Sequence, residues 1–361
     1  MRLALKEIRY GKKKYILIES ILILMTFMVL FLSGLANGLS RAVSAAVENQ
    51  STKEFVLSDD AQNLITLSSV SNEATQKILN QYGSSAAELN IYRGHLQKAS
   101  KDKKVDVTYF AIDSKSFLAP KITTGHSLSN SGNGIVLDES YLDNGIKTGD
   151  TIKDSDTGMI FQVKGFTKDA MYGHTAVAYI SLNQYTKIMQ TKNPSYTKTT
   201  QTIALNKSVK KLSVSGYTPV NKSEVIKNIP GYSAEQSTIQ MILWVLLVMS
   251  SAILGVFFYI LTIQKERQFG VLKAIGMHMS ELSKMIAAQV FILAFTGMVV
   301  GNVLVIAMSM MLPKSMPFYL QGDKMLLISV IFLLISVGGS LVSTRRIAKV
   351  DPIITIGGNE A

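Results

Sequence analysis

Four stretches of this chain run for twenty residues or more almost without charge, and no other feature constrains its fold as strongly. They are Ile16 to Ser40 (with Glu19 inside), Ile239 to Ile263, Met285 to Leu312 and Met325 to Thr344. A helix needs about 20 residues to cross a hydrocarbon core of ~30 Å. Backbone N–H and C=O groups find no water there, so stretches of this kind span as helices that bond within themselves. Between the first two lies a polar block of about 200 residues. The expected fold class is therefore a membrane protein of four transmembrane α-helices, with a large extracellular mixed α/β domain between helices 1 and 2.

Charge sets the expected orientation. The chain carries a formal +12, and the excess is uneven. Arg2, Lys6, Arg9, Lys12, Lys13 and Lys14 precede the first span against a single Glu7. Lys265, Arg267, Lys273 and Lys284 lie between spans two and three, and Arg345, Arg346 and Lys349 follow span four. Lys and Arg accumulate in cytoplasmic loops, so both termini and the 264–284 segment are expected inside. The polar block, with 22 Lys and Arg against 18 Asp and Glu, is expected outside. This excess reads as membrane topology and not as a nucleic-acid surface. The boundaries that follow are 1–14, an amphipathic cytoplasmic segment; 15–40, 237–263, 285–312 and 325–344, the spans; 41–236, the outer domain; 264–284, a cytoplasmic segment; 313–324, an outer loop; and 345–361, a cytoplasmic tail. The first span reads as a retained signal anchor, since it runs past 20 residues without a small-residue cleavage pattern.

Within the block, periodicity predicts helices over Ser71–Gly83, Ser181–Gln190 and Asn221–Ile229, and a helical continuation of span one through Asn49. Strands are predicted over Lys104–Asp113, Met159–Thr167, His174–Leu182 and Gln201–Ser208. Gly134–Ile152 reads as strand, short helix, Gly-Asp turn and strand. Gly297 and Gly301 in span three have the spacing that lets helices approach closely, and so does the small outer end of span one at Ser33, Gly34, Ala36 and Gly38.

Several chemistries are absent. There is no cysteine, hence no disulfide and no thiolate site. No G-x-x-x-x-G-K-[ST] occurs, so the chain does not itself hydrolyse nucleotide. His95, His126, His174 and His278 are isolated in the sequence and read as surface or packing residues. No enzyme and no resident metal are expected. Methionine is abundant, 17 in all, and many lie in or beside the spans. Met and Tyr are both axial ligands for haem iron. Most of these methionines read as packing, with Met25 and Met28 standing out at i and i+3 on one face of span one.

The stretch Thr262–Met277, TIQKERQFGVLKAIGM, follows span two directly and interleaves Lys265, Glu266, Arg267 and Lys273 with Phe269, Val271, Leu272 and Ile275. On residues alone it reads either as an amphipathic segment for a partner's groove or as a basic juxtamembrane anchor. Its wording is more particular. Lys265, Glu266, Gly270, Leu272, Lys273, Ala274, Ile275 and Gly276 match, position by position, the post-span-two signature of the MacB/FtsX-type ABC transporter permeases. The ending Ile347–Gly358, with Asp351, Pro352, Ile356 and Gly357, is similar to that family's closing motif. The layout of spans agrees, so the chain resembles the family along its whole length. ALKEI, LFLSGLANGL, FFYILTIQK, LPKSMPF and DPIITIGG bring it closest to the haem-efflux (Hrt-type) permeases of Gram-positive bacteria.

That resemblance implies a permease subunit in the cell membrane, coupled to a separate cytoplasmic ATPase in two copies that carries ATP and Mg. The permease would be a homodimer in the lipid bilayer, paired through spans one and two. It would hold no permanent cofactor and would take haem as transported substrate. The coupling contact would be Lys265, Glu266, Arg267, Gly270, Leu272, Lys273, Ala274, Ile275 and Gly276. Haem entering sideways from the membrane would meet Met25, Met28, Phe31, Met241, Trp244 and Met249, with Tyr232, Glu235 and Glu48 as the alternative ligands. Two other functions stay open: a non-transporting, cell-division type of signalling subunit, against which the size of the outer block weighs, and export of a peptide or antibiotic.

Overall fold

The computed structural model describes residues 7, 9–98, 104–209, 212–264, 268, 270–272, 275–313 and 316–347. They include seven helices with both ends defined. They are α1 (Lys12–Glu48), α2 (Asn72–Tyr82), α3 (Leu182–Lys192), α4 (Lys222–Asn228), α5 (Tyr232–Ile263), α6 (Met279–Met311) and α7 (Gly322–Ile347). Helices α1, α5, α6 and α7 are the four long and apolar enough to cross a membrane. The chain divides into two compact units, one of residues 1–37, 238–312 and 318–361, the other of residues 38–237 and 313–317.

In the first unit the spans meet through glycine. A Cβ on Gly297 would lie 2.9 Å from the Leu22 Cβ, and one on Gly301 would lie 2.9 Å from the Thr26 Cβ. Both steps are four residues, so α1 and α6 run side by side in the same direction, one turn matching one turn. Leu22 then joins Tyr15, Ile18, Leu282, Ile286, Val290, Leu293 and Phe332 in one buried cluster. Asn302 of α6 donates to Ser329 of α7 at 3.0 Å, the kind of polar tie helices use in lipid. Gly339 of α7 comes within 3.8 Å of the Gly255 Cα of α5 when given a Cβ. The small outer end of span one is filled differently from expectation. Gly34 receives the Phe318 ring and Leu320, and its carbonyl accepts from Tyr319 N–H at 3.0 Å. A returning loop, not a helix, uses that space.

The second unit is built on eleven strands: β1 (Glu54–Ser58), β2 (Ala86–Lys98), β3 (Lys104–Ile112), β4 (Ile122–Gly125), β5 (Gly134–Asp138), β6 (Thr151–Asp154), β7 (Ile160–Thr167), β8 (Met171–Tyr172), β9 (Thr175–Ser181), β10 (Thr202–Leu205) and β11 (Tyr217–Asn221). Their order is β11-β1-β10-β2-β3-β9-β5-β7-β4. Because β6 pairs with both β2 and β7, strands β2, β3, β9, β5, β7 and β6 close into a ring. Pairing is antiparallel except for β3 with β9 and β5 with β7. Alternate residues feed two cores. Val107, Tyr109 and Ala111 join one with Phe161 and Phe166. Phe110 and Ile112 join the other with Val43, Ala46 and Val47 of α1 and Val225 and Ile226 of α4.

Local chemistry explains the helix ends. Ser71 accepts from Ala74 N–H at the start of α2, and Gly83 ends it at φ +53°. Ser181 and Gln184 form a reciprocal capping box at the start of α3, which satisfies two otherwise open backbone donors. The predicted short helix after β5 is a 3-10 turn, Glu139–Asn144, stopped by Gly145 at φ +75°. Lys222 reaches the last turn of α1, donating to the carbonyls of Glu48 (3.0 Å) and Gln50 (2.8 Å). Burial pushes its ammonium pKa down, against the pull of Glu48.

Two predictions follow from the glycine contacts. Gly301→Val forces Thr26 and its neighbours apart, and overpacking of this kind costs roughly 1–3 kcal/mol, so the purified chain should melt several degrees lower in detergent. Gly338→Ala, where an added Cβ meets nothing within 4 Å, should leave the same melting curve unmoved or slightly raised.

Candidate functional site

Two places gather the residues with functional chemistry. The first is the turn after α5. Lys265, Glu266, Arg267, Lys273 and Ala274 lie outside the described residues, as does all of the closing motif after Ile347. Gly270, Leu272, Ile275 and Gly276 are described. Gly276 has φ +95°. Met277 N–H donates to the Leu272 carbonyl at 3.0 Å, and Ile275 N–H to that of Val271 at 3.2 Å. A bond reaching back five residues over a left-handed glycine is a Schellman stop, whose usual companion is an apolar contact between the residues that bond. Leu272 and Met277 both pack against the Tyr15–Phe332 cluster. The amphipathic stretch is thereby split: Leu272 is turned onto the span bundle, and Ile275 is left 75% exposed.

The second place is the tip of the β8–β9 hairpin. Met171 pairs with Ala176 and Tyr172 with Thr175, so Gly173 and His174 alone make the turn. Both have positive φ, +54° and +63°. Tight hairpin turns want that at both central residues, but for a non-glycine residue left-handed backbone costs roughly 1–2 kcal/mol. Five hydrogen bonds hold Gly173 and His174 in place. Gly173 and His174 N–H donate to the carbonyls of Val43 and Ala42, each at 2.9 Å. Arg93 donates to the Gly173 carbonyl at 2.7 Å. The His174 Nε2 lies 2.9 and 3.1 Å from the two Glu235 carboxylate oxygens. Upstream, the buried Asp138 carboxylate accepts from Ala170 N–H at 2.7 Å and so fixes the entry to the hairpin. Burial raises the Asp138 pKa, although its hydrogen bonds with Ser140 and Ala170 pull it down. Burial likewise pushes the Tyr172 phenol up to about 12.

Of the alternative ligands, one reaches this tip. Glu235 faces His174 from the first turn of α5. Tyr232, one turn before, packs on the core, and its hydroxyl accepts from Gln236 at 3.3 Å. Gln236 also bonds Ser40. Glu48 is engaged elsewhere, accepting from Ser44 at 2.6 Å and pairing with Arg41 at 3.4 Å. His174 is the residue missed in the sequence. It reads as isolated there because its partners lie 61 residues downstream and on α1. The only local sign was a Gly-His pair in front of a strand. His95 is not isolated either, lying 3.2 Å from Asp156 and 3.5 Å from Asp106.

The span candidates are dispersed. Met25 packs against the Tyr15–Phe332 cluster, while Met28 is 52% exposed. Three residues turn a helix by about 300°, enough to set the two in different surroundings. Phe31 stacks on Phe27 and lies 5.2 Å from the Phe318 ring. Met241, Trp244 and Met249 are 61%, 66% and 59% exposed on α5.

Residues 240–352 match the FtsX-like permease C-terminal domain. The chain carries an FtsX-like permease domain. Its match takes in α5, the Schellman turn, α6, α7 and Asp351-Pro352. Over the full length the chain is 29% identical to the "Putative hemin transport system permease protein HrtB" of Staphylococcus haemolyticus, with 100% of both chains covered. It is also 29% identical to the protein of the same name from Staphylococcus epidermidis, again over 100% of each. Among solved structures, the extracellular domain of the noncanonic ABC-type transporter YknZ from Gram-positive bacteria overlays 44% of this chain and 84% of its own, at 11% identity and a TM-score of 0.32. Together the family match and the full-length relatives support an ABC transporter permease, a transport component of the membrane.

The turn after α5 in this FtsX-like domain gives a direct prediction. Gly276→Ala puts a Cβ on a left-handed residue, a cost of roughly 1–2 kcal/mol. Amide exchange at Ile275 and Met277 should accelerate about 5- to 30-fold, read by hydrogen-exchange mass spectrometry, with the α6 amides unchanged.

Proposed function

We propose that the chain is the permease of a haem exporter, with both termini cytoplasmic and residues 38–237 outside the cell. The observation that carries this reading is identity of 29% over the full length with the HrtB chains, spans and large domain together. Two copies pair through α1 and α5 and bind two cytoplasmic ATPase subunits. In support of the pairing, α5 leaves Met241, Trp244, Val248, Met249 and Val256 uncovered by the rest of its own chain, as a helix does when a second copy or lipid covers it. The segment 265–277 takes up the ATPase motion: Leu272 grips the span bundle while Ile275 and the adjoining charges meet the partner.

Haem is an apolar disc with two carboxylates and an iron that accepts His, Met or Tyr. The set built from Tyr232, Glu235 and His174 supplies an imidazole and a phenol, with Arg93 beside the hairpin for a carboxylate. It is favoured over the Met25 and Met28 pair because Met25 is spent on packing. His174 sits in a costly backbone conformation held by several bonds, an arrangement that recurs at functional sites.

The test is hemin titration of the purified permease with its ATPase in nanodiscs, following the Soret band and the ATPase rate together. A saturable Soret shift that weakens at least tenfold in His174→Ala or Tyr232→Phe, and persists in Met28→Leu, is the expected result. A shift lost only with Met25→Leu or Met28→Leu moves the cargo into the spans. No shift and no change in ATPase rate contradicts haem as cargo and leaves the peptide-export and signalling functions.

A further inference from the structure

Beside the contact of α1 with α6 lies a groove of about 690 Å³ that neither the coupling turn nor the hairpin cluster uses. Its shape follows from the glycines. Gly297 and Gly301 draw α6 onto Leu22 and Thr26. One to two turns earlier the facing residues are larger, and Tyr15 and Leu293 meet in the buried cluster beside the groove. Tyr15 and Ile16 of α1 and Ile292 and Leu293 of α6 line the apolar walls. Arg9 and Lys12 line the end nearest the N-terminus. Both are exposed, and no ion pair within 4.0 Å is recorded for either among the described residues. Glu19 and Thr296 line the other end. Seven residues of helix put Glu19 about 10 Å beyond Lys12. Its Oε2 is buried with no hydrogen-bond partner, and its Oε1 lies 3.5 Å from where a Gly297 Cβ would be.

We propose that this groove binds one anionic phospholipid, its phosphate between Arg9 and Lys12 and an acyl chain along Ile16, Ile292 and Leu293. Charge complementarity and depth single out this occupant. The two cations stand at the end of a span, where head groups lie, and the apolar walls begin one turn deeper. Basic pockets between spans on the cytoplasmic side take anionic head groups. Glu19 stands too deep to meet the phosphate and belongs to the acyl level. The leaflet rests on the orientation given under Proposed function; the binding chemistry does not.

The test uses the full chain in detergent, without haem or ATPase, so its outcome is separate from that of the export reading. Palmitoyl-oleoyl phosphatidylglycerol and phosphatidylcholine are titrated in turn, and bound lipid is read by native mass spectrometry. Phosphatidylglycerol should be retained and phosphatidylcholine not. A near-surface Lys or Arg attracts an anionic lipid enough that each removal weakens binding about fivefold, so Arg9→Gln with Lys12→Gln should lose roughly 25-fold. Leu293→Trp, which fills the groove and keeps both cations, should also abolish retention, while Glu19→Gln should leave it unchanged. Matching elution and melting curves establish that the variants fold, and the exposed Arg9 and Lys12 substitutions disturb no packing. Equal retention of the two lipids overturns the proposal. So does loss in Glu19→Gln alone, which would make the ligand a cation, and so does retention in Leu293→Trp, which would mean surface charge only. Displacement of the lipid by equimolar hemin, dependent on Arg9 and Lys12, would give the groove to cargo and overturn it too.

Discussion

Helices in hydrocarbon gain nothing by expelling water when they meet, so their association depends on how closely the backbones approach. In the spanning unit that approach is set at Gly297 and Gly301, against Leu22 and Thr26. From it follow the burial of Leu22, the cluster that runs from Tyr15 to Phe332, and the surface on which Leu272 and Met277 rest. The Schellman turn at Gly276 is therefore seated on the same packing that joins α1 to α6. A side chain larger than glycine at either position would push α1 and α6 apart beneath that turn.

The large domain answers to a different constraint. Its six-strand ring has core on both sides, so β5 is buried along its whole length, whichever way its residues point. Backbone groups inside are satisfied by the ladders, and buried carboxylates by their neighbours. Asp154, for example, accepts from Tyr109 at 2.9 Å and from the Thr157 amide at 2.9 Å. The hairpin that carries His174 is tied to Ala42 and Val43 of α1 and, through the side chain, to Glu235 of α5. One short turn thus touches both long helices within the domain. A ligand that took the His174 imidazole or the Glu235 carboxylate would break the side-chain tie and leave the backbone ties in place.

Much of this was legible in the residues. The spans declared themselves by length and absence of charge, and Gly297 and Gly301 by spacing. Helices α2 and α3 announced their ends through Ser71, Gly83 and Ser181. Strand β2, the longest, gave no clean alternation, because Asn90 is buried beside Leu89 and Ile91 and a strand covered on both faces has no reason to alternate. The pairings that close the ring join segments far apart in sequence and leave no local pattern. The functional residues divide the same way. The candidate coupling stretch is contiguous, so it stands out by its wording alone. His174 becomes a candidate only when folding brings Glu235 within 2.9 Å. Met25 and Met28 look paired at i and i+3, yet only packing decides which of them faces a neighbour.

The central claim is that ATP hydrolysis in a partner drives haem out of the membrane through this chain. The most direct measurement is transfer of hemin from vesicles holding the permease and its ATPase to apomyoglobin in the medium, with and without ATP. The account predicts ATP-dependent acceleration that disappears when either subunit is left out or when Gly276 is replaced by a bulkier residue. Transfer at the same rate with and without ATP, while the ATPase turns over in the complex, would contradict it.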